Sequence, residues 1–114
     1  GLLPETPRNL VAACKNIGTT HLTNGAYRLH PVEWAVGEAA GTLAAFCCAT
    51  GRAPAEVASS PALLRELQAC LLRGGAPLAW TTDVSFEHPL FVPVQQLVLA
   101  GAVAPGSERF GRLE

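Results

Sequence analysis

Apolar positions along this chain fall into three kinds of run. Leu10-Val11-Ala12-Ala13 is short and continuous, bounded by Asn9 and, past Cys14, by Lys15. That pattern predicts a strand covered on both faces. From Trp34 to Cys48 almost every residue is apolar or small, which predicts one long helix. Pro31 suits its first turn, where a missing N–H costs nothing, and Glu33 puts negative charge near its positive end. Gly51 suits the position just past its C-terminus. Gly37 and Gly41 share a face of that helix and let something approach its backbone closely. In the third run, Leu63, Leu64, Leu67, Cys70 and Leu71 recur at helical spacing, with Arg65 and Glu66 opposite. Ser60 and Pro61 read as cap and first residue of this helix, and Gly74-Gly75 as its stop.

The intervening segments are polar or broken. Gly1 to Arg8, with Pro4 and Pro7, reads as an extended entry, and Cys14 to His30 as a loop carrying Gly18 and Gly25. Pro54 to Val57 suggests a helical turn. Pro93 to Ala100 reads as a last helix stopped by Gly101, with a valine-rich strand as the alternative. Beyond it, Pro105, Gly106 and Gly111 suit irregular chain. The expected fold class is mostly α with one or two short strands, forming one compact unit. An isolated strand leaves its own backbone unpaired, so Leu10 to Ala13 needs a partner sheet.

Composition narrows the function classes. Hydrophobic residues make up 49% of the 114 and charged ones 15%, which excludes a disordered tail and suits a segment whose faces another part covers. The net charge is −1 with no basic stripe, so neither nucleic acid nor an anionic membrane is an expected partner. Glu38 interrupts the Ala-rich run after Trp34, which favours a buried core helix over a membrane span. Cys14, Cys47, Cys48 and Cys70 have no ligand-like spacing and read as buried thiols, and no metal site is expected. The lack of a secretion signal suits a cytoplasmic location, though it says little of a longer parent.

The stretch from Asn9 to Thr50 also resembles the C-terminal part of a family of FAD-dependent oxidoreductases with a glutathione-reductase-like FAD fold. The likeness is carried in order by Asn9-Leu10-Val11-Ala12-Ala13, Ile17-Gly18-Thr19-Thr20-His21, Gly25-Ala26-Tyr27-Arg28, His30-Pro31-Val32-Glu33-Trp34 and Gly37-Glu38-Ala39-Ala40-Gly41. It implies that the chain is the C-terminal fragment of an α/β FAD-binding oxidoreductase. Residues 1–51 would complete a flavin site as strand, loop and helix, and 52–114 would form a helical C-terminal region. The Gly-x-Gly-x-x-Gly element that such families use for the FAD pyrophosphate is absent from the 114 residues. The missing FAD domain would therefore be the principal partner. It would supply both that site and the partner sheet, with a small-molecule substrate besides. A homo-oligomer is left open.

By the same resemblance, Asn16, Ile17, Gly18, Thr19 and Thr20 would pass the ribityl chain and ring system, mainly through backbone groups. Pro31 and Val32 would open a helix aimed at the edge of the flavin that gains negative charge on reduction. An ordinary capped helix is the alternative. His21 is the candidate for proton transfer, or else a loop histidine with one structural hydrogen bond. Arg28 would clamp a substrate carboxylate or the flavin's pyrimidine end, or else pair with Glu33 or Glu38. Glu38, a charge in an apolar helix, needs a partner. Tyr27 and Trp34 read as packing residues, and His88 as surface or packing.

Two departures matter. The family pattern has Ala-Gly where this chain has Ala13-Cys14. Many relatives place an acid for the ribityl hydroxyls where Lys15-Asn16 stand. Finally, Trp80-Thr-Thr-Asp83-Val84, Phe91 to Leu97 and Gly101 to Gly106 together resemble one surface-layer-homology repeat. That likeness implies a second function, a non-catalytic helical interaction or cell-wall-binding module.

Overall fold

The longest small-residue run forms the longest helix of the computed structural model, which describes residues 1–6, 8–81 and 83–103. Pro7, Pro105, Gly106 and Gly111 lie outside the described residues. A single 3₁₀ turn, Cys14–Asn16, precedes the helices α1 (Asn24–Tyr27), α2 (His30–Thr50), α3 (Pro54–Ser59), α4 (Pro61–Arg73) and α5 (Phe91–Leu99). The chain divides into two compact units, Gly1–Cys70 and the part from Leu71 onward.

In the first unit, α2 packs against the 3₁₀ turn, α1 and α3. It starts without a side-chain cap and ends at Gly51, whose φ of 68° only glycine adopts cheaply. The core of this unit includes Ala40 and Leu43 of α2, Val57 of α3 and Leu67 of α4. The expectation that α2 is a buried core helix is corrected. Only the stripe through Glu33, Ala40 and Leu43 is buried, while Glu38 and Cys48 are exposed and Trp34 is 69% exposed. Being exposed, Glu38 has water for a partner and needs no buried one. No described helix is long and apolar enough to cross a membrane.

The expected strand at Leu10–Ala13 is also corrected, because the described residues contain no strand. The segment is extended at Ala13 (φ −137°, ψ 156°), but Leu10 is 52% exposed and residues 11–13 are only half-buried. A strand exists only as one side of a ladder. Here Ala12 N–H donates to Leu2 O at 2.8 Å, and Gly18 N–H to Gly1 O at 3.1 Å, which ties the segment to the start of the chain without building a sheet.

The helices Pro61–Arg73 and Phe91–Leu99 lie where the third apolar run and the valine-rich segment predicted helix. Leu63 N–H donates to Ser60 Oγ at 3.4 Å at the start of α4. Ala76 N–H bonds Leu71 O at 3.0 Å and Gly75 N–H bonds Leu72 O at 3.1 Å, the paired bonds that close a helix on a left-handed glycine. Gly101 ends α5 the same way, with Ala102 N–H on Leu97 O at 2.9 Å.

The second unit buries Leu71, Leu72, Phe91 and, at 0% exposure, Gln95. Phe86 stacks on Phe91 with ring centroids 4.8 Å apart. His88 has a role that its sequence setting did not show: its Nδ1 accepts from Leu90 N–H at 3.1 Å, just before α5.

Candidate functional site

Three features of the first unit converge on the start of α2. At its first turn, Glu33 is only 7% exposed. His30 Nδ1 meets Glu33 Oε1 at 2.7 Å, and Lys15 Nζ lies 3.4 Å from Oε2. Oε2 is buried and accepts no hydrogen bond, so Lys15 serves it as an ion pair only. The His30 hydrogen bond holds the carboxyl below its ordinary value of 4.5, against the opposing effect of burial; Lys15 adds to the lowering. His30 also stacks on Trp34, one turn along, at 6.3 Å between centroids.

The second feature is Cys14, the one described non-glycine residue with positive φ, at 51°. A side chain with a Cβ is strained there, where glycine would not be. Its thiol rests on α2 at Gly37. A Cβ on Gly37 would lie 2.8 Å from Cys14 Sγ, whereas one on Gly41 would meet nothing within 4 Å. Close approach to the α2 backbone is thus real at Gly37 and absent at Gly41.

The third feature is the loop leading into α2. Thr20 and Thr23 form a reciprocal box: Thr20 N–H donates to Thr23 Oγ1 at 3.1 Å, Thr23 N–H to Thr20 Oγ1 at 3.3 Å, and the hydroxyls lie 2.9 Å apart. Asn24 Oδ1 accepts from Thr19 Oγ1 at 3.3 Å and from Arg28 Nε at 3.0 Å. Arg28 is therefore not the partner of Glu33 or Glu38. Asn24, four residues back at the start of α1, reaches it first, and Glu33 is taken by Lys15 and His30.

A cavity of about 610 Å³ opens beside this loop, within the size range of small-molecule sites. Ile17 to Thr20, Thr23 and Tyr27 form one side, and Leu43, Val57 and Leu67 belong to the helices that line it. Among the candidate residues, Ile17, Gly18, Thr19 and Thr20 line the cavity. Asn16, His21, Arg28, Pro31 and Val32 do not. His21 is exposed and has no hydrogen-bond partner among the described residues. At the start of α2 the His30 and Val32 N–H groups have no intrachain acceptor among the described residues, while Glu33 N–H is used by Leu29 O at 3.0 Å. Reading the sequence missed Lys15 and Tyr27 as members of this region. Tyr27 was legible as part of Gly25-Ala26-Tyr27-Arg28, but nothing in the spacing of Lys15 showed that it faces Glu33.

Residues 1–71 match the family model described as FAD dependent oxidoreductase. The chain belongs to that family. The matched span ends within one residue of the first compact unit, so the family likeness and the independent packing unit are the same piece of chain. No curated protein and no solved structure matches this FAD-dependent oxidoreductase chain.

All four cysteines are free thiols, but the expectation that they are buried is corrected: Cys14 and Cys48 are exposed, and Cys47 and Cys70 are half-buried. Burial, then Cys48 and Glu56, push the Cys47 thiol up from its ordinary value.

Proposed function

We propose that this chain is the C-terminal part of its flavoenzyme and contributes the flavin-proximal loop and helix, with residues 1–51 as the contributing segment. The observation that carries the reading is the pairing of the family match with an uncapped, 21-residue helix that offers two open N–H donors. These donors suit the carbonyl edge of a flavin ring, where charge collects on reduction. Bound FAD supplies hydride transfer to or from an organic substrate.

The chain's own residues bind and orient. His30 and Val32 present backbone N–H groups at the head of α2. The Ile17–Thr20 backbone runs beside the cavity, and Cys14 seats the 3₁₀ turn against Gly37. His21, exposed on the same loop, is placed to exchange a proton with solvent and serves as the proton-transfer candidate. Asn16, at the end of the 3₁₀ turn, stands in for the acid that relatives use on the ribityl hydroxyls. Arg28, held by Asn24, is the cation nearest in sequence to the donors. The residues present do not fit the pyrophosphate of FAD, because no glycine-rich strand–turn–helix occurs in the sequence. That half of the site belongs to the remainder of the parent's FAD domain, and the chain alone should be inactive and bind FAD weakly.

The deciding experiment is an absorbance spectrum of the parent protein carrying its dinucleotide-binding region. A bound yellow chromophore that bleaches with a reductant supports the reading, and His21→Ala then tests for lost turnover. A folded, colourless parent overturns it. Tight stoichiometric FAD binding by the 114-residue chain alone would overturn the division of the site.

A further inference from the structure

We infer that the cavity beside residues 17–20 binds a neutral, largely apolar organic molecule of up to three rings and, when the Gly1 nitrogen is acylated, rejects its carboxylate or sulfonate analogues. Calling that molecule the substrate rests on the flavoenzyme reading; its binding does not.

The argument is one of complementarity. The cavity of about 610 Å³ has no charged side chain in its lining; the one charge there is the α-ammonium of Gly1, which acylation removes. The nearby cationic side chains lie outside the lining: Arg28 bonds Asn24 at 3.0 Å, and Lys15 pairs with Glu33 at 3.4 Å. With the Gly1 nitrogen acylated, an anion entering this space would lose its water and gain no counter-charge, which is strongly unfavourable. The polar groups in the lining are also largely used. Thr20 and Thr23 satisfy each other, and Thr19 Oγ1 donates to Asn24. The hydroxyl of Tyr27 is the exception, with no hydrogen-bond partner among the described residues. Leu43, Val57, Leu64 and Leu67 supply the apolar remainder. Such a site suits an apolar body with one uncharged polar group to meet Tyr27.

Two dyes with the same rings make the test: neutral N-phenylnaphthylamine and its sulfonated counterpart, anilinonaphthalene sulfonate. Each is titrated into the 114-residue chain, acetylated at Gly1 so that the lining carries no charge, and followed by fluorescence. The expected result is one saturable site for the neutral dye, with the sulfonated dye at least about tenfold weaker. Leu64→Glu places a charge in the lining at a half-exposed position and should weaken the neutral dye by about tenfold or more. Tyr27→Phe should weaken it a few-fold. Equal affinity for the two dyes, or neutral-dye binding that both substitutions leave unchanged, overturns the inference. If Leu64→Glu alters the circular dichroism, the dye ratio on the unmutated chain and Tyr27→Phe decide. A colourless parent protein would overturn the flavin reading while leaving this binding result intact, so the two failures are distinguishable.

Discussion

The two units hold their loops in opposite ways. In the first, the turn into α1 is held by Thr20, Thr23, Asn24 and Arg28, and every bond spans five residues or fewer. Most of these groups are exposed. In the second, the segment 78–81 is held by one fully buried side chain on α5. Gln95 Oε1 accepts from Leu78 N–H at 3.0 Å and Ala79 N–H at 2.7 Å. Its Nε2 donates to Ala79 O at 2.8 Å and Thr81 Oγ1 at 3.3 Å. All four amide positions are filled, and two facing N–H donors fix which end of the amide is oxygen. Local, wet hydrogen bonds cost little to lose because water replaces them. A buried clamp has no such replacement.

Breaking the clamp should therefore give the largest effect. Gln95→Ala strands two backbone N–H groups and one carbonyl and opens a cavity, at a cost of about 3 kcal/mol. Urea unfolding of the chain measures it. A loss under about 1 kcal/mol would mean that water enters and makes the clamp no different from the threonine box.

The glycine pair on α2 sharpens the comparison within one helix. Gly41→Ala meets open space and should stabilise by about 1 kcal/mol through helix propensity. Gly37→Ala gains the same propensity but drives a methyl into Cys14 Sγ, so it should fall short of Gly41→Ala by about 1 kcal/mol or more. In a Cys14→Gly background the shortfall should vanish, and that background relieves the positive φ as well. A shortfall that persists without the thiol would show that Gly37 answers to something else.

These cases also show what the sequence made legible. The positions of α2 to α5 followed from periodicity and from glycine and proline punctuation, which are local, whereas α1 falls in a segment read as loop. Gly37 and Gly41 were both flagged as close-approach sites, yet only the fold could separate them. The contact depends on where Cys14 lands, 23 residues upstream in the numbering. The strand at Leu10–Ala13 failed for the related reason that strand formation needs a distant partner, whereas a helix carries its own. Gln95 lay inside a segment read as a last helix and as part of a repeat-like likeness, and its clamp stayed hidden because a buried polar clamp leaves no periodic trace. At the candidate site, the family motifs located the loop and helix. The pairing of Glu33 with Lys15 and His30 instead of Arg28 depends on how the 3₁₀ turn folds back onto α2.

That cluster gives the third test. Because the folded Glu33 carboxyl lies below its ordinary value of 4.5, its ionised form favours the native state. Its contribution is fully present above about pH 4.5 and disappears as pH falls through the lowered folded value. Thermal midpoints of the chain and of Glu33→Gln, measured from pH 6 downward, should converge as the solution is acidified. Parallel curves throughout that window would mean that His30 and Lys15 do not favour the ionised carboxylate.

The smallest effect belongs to the threonine box. Thr23→Val keeps the shape of the side chain and removes the hydroxyl that faces Thr20 N–H and Thr20 Oγ1. Both groups are solvent-exposed, so water takes over the lost bonds and stability should change by no more than about 0.5 kcal/mol. The turn itself should loosen more than the unit does, because Thr20 O still accepts from Asn24 N–H at 3.0 Å while the reciprocal pair is gone. Amide hydrogen exchange separates the two. Faster exchange confined to residues 20–24, with unchanged global stability, is the expected pattern for a loop held locally. A global loss approaching that of Gln95→Ala would show that the box supports the packing of the whole first unit, and the contrast between the two loops would fail.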